Sequence, residues 1–157
     1  MNLNEFLVSP IAFLAPDKSL DGLETADAER RLPGADHSVA EIVAHLTFWL
    51  DWFYTRCTGQ AAPMVASAAL GWPAVAPGSW PEVRSRFLDR LAALARLGDG
   101  DASARISPPI EFPPLADYTI ADALVHAATH NAHHLGQIIV LRQLLGAWPP
   151  PAGRWTW

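Results

Sequence analysis

The chain has 157 residues, half of them apolar, with a formal charge of −5 at neutral pH and a pI near 5.6. That length suits one domain with a sizeable core, so a single domain over 1–157 is expected. Eleven Lys+Arg against sixteen Asp+Glu leave no basic cluster to neutralise phosphates, which argues against a nucleic-acid or anionic-membrane surface.

Residues 3–15 pattern as an apolar helix through Leu3, Phe6, Leu7, Ile11 and Leu14, with Pro10 limiting its regularity because it lacks an N–H. The stretch before it lacks the basic run of an export signal, so none is expected. Residues 16–37 contain Pro16, Gly22, Pro33 and Gly34 and read as a connection, with a short helical turn at 26–31.

Ser38 and Glu41 form a capping box, and Val39, Ile42, Val43, Leu46, Trp49, Leu50 and Phe53 recur at helical spacing until Gly59. This second helix carries His45. It also carries Cys57, the only cysteine, so no intramolecular disulfide can form and a reducing, cytoplasmic setting is expected. A lone thiol of this kind reads as buried filler.

Residues 59–79 hold Pro63, Gly71, Trp72, Pro73, Pro77 and Gly78, a long connection whose apolar residues should pack on the body. Connections of this length are either lids and binding loops or packed crossovers. The prolines also break the segment too often for the ~20 residues of a membrane span. Ser79 and Glu82 offer a second capping box for a helix through Val83, Phe87, Leu91, Leu94 and Leu97, ending at Gly98. Its Arg84, Arg86, Asp89, Arg90 and Arg96 read as a solvated face.

Residues 98–118 form another Gly-, Asp- and Pro-rich connection. Thr119 and Asp122 then open the last long helix, and Gly146 with Pro149, Pro150 and Pro151 closes it. The two tryptophans of the tail, Trp155 and Trp157, are expected to dock on this subunit or another. With no repeat and no strand-period segment, four helices joined by long and short loops describe an all-α four-helix bundle.

Four of the six histidines fall between His126 and Gln137. On the fourth helix Ala123, Ala127, His130, His134, Ile138, Leu141 and Leu145 share one stripe, so the histidine pair faces the apolar interior. His130 and His134 stand four apart, about 6 Å on one face, and can chelate one metal ion. Buried without partners, their ring nitrogens would cost a few kcal/mol in desolvation. His126 shares the stripe but lies about 12 Å from His134, too far for one ion bonded at ~2 Å. A third ligand must come from another helix, and His45, on a face with Ile42 and Trp49, is the best candidate. His37 precedes a helix cap and should be exposed, while His133 is one position off the stripe. Asn131 and Gln137, with Asp51 and Tyr54, are candidates to accept the rings' outer N–H groups, against an ordinary surface or packing role. Gly136 reads as a place where helices approach closely.

Asn131 stands where a zincin H-E-x-x-H motif needs its glutamate, and no glutamate here has a histidine three residues later, as a carboxylate-bridged di-iron bundle needs. His130-x-x-His133-His134-x-Gly136-Gln137, with Ser38-Val-Ala-Glu-Ile-Val-Ala-His45-Leu upstream, resembles the DinB/YfiT-like superfamily across nearly the whole chain. The resemblance implies a four-helix bundle in up-down-down-up order, often a homodimer, with a three-histidine metal site. By matching position its ligands are His45, His130 and His134. Some relatives are thiol S-transferases or thiol-dependent isomerases that use low-molecular-weight thiols.

Three neutral imidazoles suit a divalent ion, and zinc, nickel and ferrous iron all accept them. The expected activity is a metal-dependent transferase, with a low-molecular-weight thiol as cosubstrate, or a hydrolase of a small molecule. The alternatives are a non-catalytic metal- or ligand-binding bundle, such as a sensor or stress-associated binding protein, and a dimerisation module without metal.

Overall fold

In the computed structural model residues 3–10 and 14–153 are described. They form six α-helices: α1 Glu5–Val8, α2 Pro16–Ser19, α3 Thr25–Glu29, α4 Val39–Cys57, α5 Trp80–Arg96 and α6 Ile120–Leu145. The expected helix over 3–15 is instead the single turn α1. Pro10 disfavours helical backbone in the residue before it, and Ser9 is extended at φ −101° and ψ 154°. Ile11, part of that expected helix, and the tail with Trp155 and Trp157 lie outside the described residues. The turn expected at 26–31 is α3, one residue earlier.

Contacts along the helices fix their directions. Asp51 pairs with Arg86, and Tyr54, one turn further along α4, lies under Arg90, one turn further along α5. These two helices are therefore parallel. Opposite α4, His45 meets His134 while Phe53 meets His126, so α6 is antiparallel to it. The N-terminal strand of the bundle runs from Asn4, bonded to Asp99 just past α5, to Asp17 and Asp21, which meet Arg84 near the start of α5. The order is up-down-down-up, as the resemblance implies. A parallel α4–α5 pair requires the chain to return the length of a 19-residue helix, about 28 Å, before α5 can begin. Residues 58–79 do this, with a 3-10 turn at Ala68–Gly71. Their Met64, Trp72 and Val75 pack on the core.

Of the two expected capping boxes one forms, and the Thr119–Asp122 pair expected to open the last helix forms another. The Ser38 hydroxyl accepts from the Glu41 amide and the Glu41 carboxylate accepts from the Ser38 amide; Thr119 and Asp122 repeat the arrangement. Arg31 clamps the same Glu41 carboxylate and, as the largest influence, holds its pKa down at about 2. At α5 the box fails. Ser79 has φ −92° and ψ 7°, outside the extended backbone a capping residue needs, and its hydroxyl donates to the Ala76 carbonyl. The cap comes from far away instead: the Glu29 carboxylate at the end of α3 accepts from the amides of Gly78 (2.9 Å) and Trp80 (3.1 Å). Gly146 ends α6 in the left-handed region, φ +76°, where a side chain would be strained.

The core lies between α4, α5 and α6. Val39, Val43, Leu46 and Leu50 meet Phe87, Leu91 and Leu94 on one side and Ala123, Leu124, Ala127, Leu135 and Ile138 on the other. The arginine row on α5 is not simply solvated, because Arg86 and Arg90 both reach Asp51. Among the described residues no helix is long and apolar enough to cross a membrane.

Candidate metal centre

Antiparallel packing of α4 on α6 sets His45 opposite His130 and His134, one turn apart on α6. His45 Nε2 lies 3.2 Å from His130 Nε2, and His134 Nε2 lies 3.1 Å from the same atom. Each ring offers one nitrogen, and these ligand atoms all lie within 4.8 Å of one another, so the group could hold a metal ion. The three candidate ligands thus come together from helices 85 residues apart in sequence.

The outer nitrogens fix which inner nitrogens are bare. His45 Nδ1 lies 2.7 Å from the carbonyl oxygen of Gly71. A carbonyl only accepts, so Nδ1 carries the proton and Nε2 keeps its lone pair. His134 Nδ1 donates in the same way to Gln137 Oε1 at 2.7 Å, and the Gln137 amide in turn donates to His133 Nε2 at 3.3 Å. His130 Nε2 therefore faces two bare nitrogens and can bond to at most one of them through a single proton. Either the second bare nitrogen is left without a hydrogen or, with His130 Nε2 bare as well, lone pairs face each other. Protonation offers little relief: burial, then the neighbouring histidines, pushes the His130 pKa down to about 4, and burial lowers those of His45 and His134. A cation among the three nitrogens satisfies them all, so the donor set fits a divalent ion of the zinc, nickel or ferrous type.

The loop after α4 completes the site. Gly71 approaches Trp49 so closely that a Cβ on it would lie 3.1 Å from the indole nitrogen, and this places its carbonyl on His45. The next residue, Trp72, stacks on His45 at 3.8 Å between ring centres and on His37 at 3.6 Å. His37, expected to be exposed, is half-buried in this three-ring stack.

Of the groups expected to hold the rings, Gln137 does so, and His133 stands behind it. Asp51 and Tyr54 do not: both are engaged by the arginines of α5. Asn131 is buried at 3 % exposure with neither amide atom bonded, so it holds no histidine ring through a hydrogen bond. Gly136 does not serve a close helix approach, since a Cβ there would meet nothing within 4 Å; it leaves open a cleft of about 700 Å³ beside His134 that Asp36, His37 and Trp72 also line. His126 shares the helix but not the cluster. It is exposed, bonded through Nδ1 to the Tyr118 hydroxyl at 3.1 Å. Cys57 is no nucleophile, since burial pushes its thiol up to about 11.

Sequence reasoning missed the Gly71 carbonyl, Trp72 and the Tyr118–His126 pair. All involve loop residues whose partners lie on the helix next to the loop, a pairing set by how the loop folds back and not by helical spacing.

No curated protein matched the chain. The model of the DinB superfamily matches residues 17–138, a span that includes all three clustered histidines and Gln137, and the chain belongs to that superfamily.

Proposed function

We propose that the protein is a metal-dependent enzyme acting on a small molecule, with His45, His130 and His134 holding one divalent ion. The observation that carries this reading is the convergence of three imidazole nitrogens, at least two of them bare, with the outer nitrogens of His45 and His134 already committed to Gly71 and Gln137. Three protein ligands are characteristic of a catalytic site, which leaves coordination positions for water or substrate, whereas structural sites close with four. Bound there, a divalent ion lowers the pKa of a coordinated water or thiol or polarises a substrate oxygen.

The chain's own groups have separate tasks. Gly71 and Gln137 fix the tautomers of His45 and His134 and so aim their lone pairs inward. Trp72 shields one face of His45 from water. The clefts beside His134 and beside His130 give a small molecule access to the cluster. Transfer of a low-molecular-weight thiol and hydrolysis both fit such a centre. With Cys57 half-buried and its thiol pushed up to about 11, a thiol cosubstrate would have to come from solution. The homodimer implied by the family resemblance would cover apolar residues exposed on α6, Val125, Val140 and Leu144.

Metal analysis of the purified protein and of alanine variants at His45, His130 and His134 tests the reading. Near-stoichiometric divalent metal in the parent and its loss from each variant are expected. Full metal content in all three variants would overturn it. A non-catalytic binding bundle predicts instead a metal with no exchangeable water, which water-proton relaxation of the manganese- or nickel-loaded protein distinguishes.

A further inference from the structure

Three clefts border the cluster. The one at His134 has Asp36, His37, His133 and Gln137 in its wall, and one of the two at His130 has Asp122 and His133. The other at His130 has a volume of about 520 Å³, within the range of small-molecule sites, and no lysine, arginine, aspartate or glutamate lines it. Its walls are aromatic and come from three parts of the chain. Trp49 and Trp52 stand on α4 at 5.9 Å between ring centres and nearly perpendicular, the edge-to-face geometry of an aromatic box. Phe112 and Leu115 come from the loop before α6. The box is braced, since the Trp52 indole donates to the Pro63 carbonyl at 3.0 Å. Phe112, which also lines the cleft, is a large ring left 40 % exposed.

One polar feature interrupts this wall. The Tyr118 hydroxyl and His126 Nδ1 bond to each other at 3.1 Å one turn from His130, and all three residues line the cleft. The metal position aside, a charged ligand would find no counter-ion on this lining and would lose its hydration uncompensated. A neutral one keeps the apolar contact and can bond to the phenol or to the imidazole.

We infer that the aromatic cleft at His130 binds the substrate, and that this substrate is a neutral molecule with a flat aromatic or similarly apolar body carrying a hydroxyl or carbonyl toward Tyr118 and His126. Calling the ligand a substrate rests on the metal-centre reading; the pocket and its ligand class do not. Tyr118 and His126 are the specificity-determining pair, and Phe112 closes over the body of the ligand.

Calorimetric titration with 1-naphthol, and with 1-naphthoate as its anionic counterpart, tests this on the protein as purified and after chelation. One naphthol per chain is expected, with naphthoate at least about tenfold weaker after chelation, when no metal charge can hold its carboxylate. Phe112→Ala should weaken naphthol about tenfold, and Tyr118→Phe, which removes a single oxygen, about fivefold. Undetectable naphthol binding, equal affinity for naphthoate in the chelated protein, or an unchanged affinity in Phe112→Ala would each overturn the inference. Chelation separates the two readings. Naphthol binding that survives metal removal and stays sensitive to Phe112 supports the pocket even if the metal centre fails, whereas bound metal without naphthol binding overturns the pocket alone.

Discussion

Helix α6 buries two polar clusters, and they are finished differently. Near its C-terminal end Arg142 is 1 % exposed, yet its guanidinium donates to the carbonyls of Ser19, Asp21 and Ala147 and lies 5.8 Å from the Trp148 ring. Two turns earlier His130 and His134 present bare nitrogens to one another and to His45. The first cluster is closed by the chain itself, with each nitrogen of the fork bonded and two of the three bonds tying the N-terminal segment to the end of α6. The second is closed only on its outside. Both bury polar groups at a cost in desolvation, but only the arginine recovers it from within the fold, so the arginine serves stability and the histidines are left able to hold a cation.

Removing one member of each cluster should break this symmetry of burial in opposite ways. His130→Ala is expected to lower affinity for zinc about a thousandfold, ~4 kcal/mol, in competition with a chromophoric chelator. The same variant without metal should be as stable as the parent or slightly more so, because it relieves the facing lone pairs. Arg142→Ala should do the reverse, destabilising by about 3 kcal/mol through carbonyls left buried and unbonded, with zinc affinity unchanged. Urea titration measures the loss, which corresponds to a fall of roughly 6–12 °C in Tm for a chain this long. A large stability loss in metal-free His130→Ala would erase the distinction between the clusters.

A smaller effect should appear at Gln137, whose side chain accepts from His134. Gln137→Ala is expected to weaken zinc binding about tenfold and to leave stability within about 0.5 kcal/mol, since the residue is exposed. Gln137→Glu, which keeps an acceptor at the same atom, should restore the affinity.

Acidity sharpens the comparison further. The cluster histidines have pKa values held below the ordinary value, His130 at about 4, mainly by burial. Between the unfolded value near 6.5 and about 4 the unfolded chain binds more protons than the folded one, so the metal-free protein loses stability as pH falls through that window. Urea titrations at pH 7.5 and 4.5 should show this loss, and His130→Ala should reduce it. Arg142, charged throughout, contributes nothing to it. An unchanged pH dependence in the variant would mean that the histidines are not held neutral by the fold.

The contrast also explains what could be read from the sequence. The long helices were legible because their signals are local: Ser38 with Glu41, Thr119 with Asp122, and apolar residues at threes and fours. The histidine cluster was legible because a four-residue spacing places His130 and His134 on one face and the apolar neighbours of His45 turn it inward. Ser79 and Glu82 carry the same local signature and fail, since Glu29, fifty residues earlier, supplies the cap. Arg142 gave no sign of burial, its three acceptors being backbone atoms on segments a sequence pattern does not connect. Asp51 and Tyr54 lie on the same helix as His45, but their faces turn toward α5, where unlike charges wait for them.

The smallest expected effect falls on the outer wall of the open cluster, at Gly71. A methyl group there would lie 3.1 Å from Trp49 Nε1 and 3.3 Å from two carbons of the same indole, inside ordinary contact distance. The tryptophan is half-buried against the core and edge-on to Trp52, so the turn must move more than the ring. Movement of the turn carries the Gly71 carbonyl away from His45 Nδ1. Gly71→Ala should then weaken zinc binding about fivefold, at the lower edge of what an outer hydrogen bond contributes, without removing any ligand. The pH profile tells whether this is the route: a carbonyl on Nδ1 fixes the tautomer that leaves Nε2 bare, so its loss should reduce affinity at every pH above 7, while a variant that merely loosened the fold would lose affinity together with stability in urea. If zinc binds Gly71→Ala as it binds the parent, the loop is only a cover, and the open cluster is built by its two helices alone.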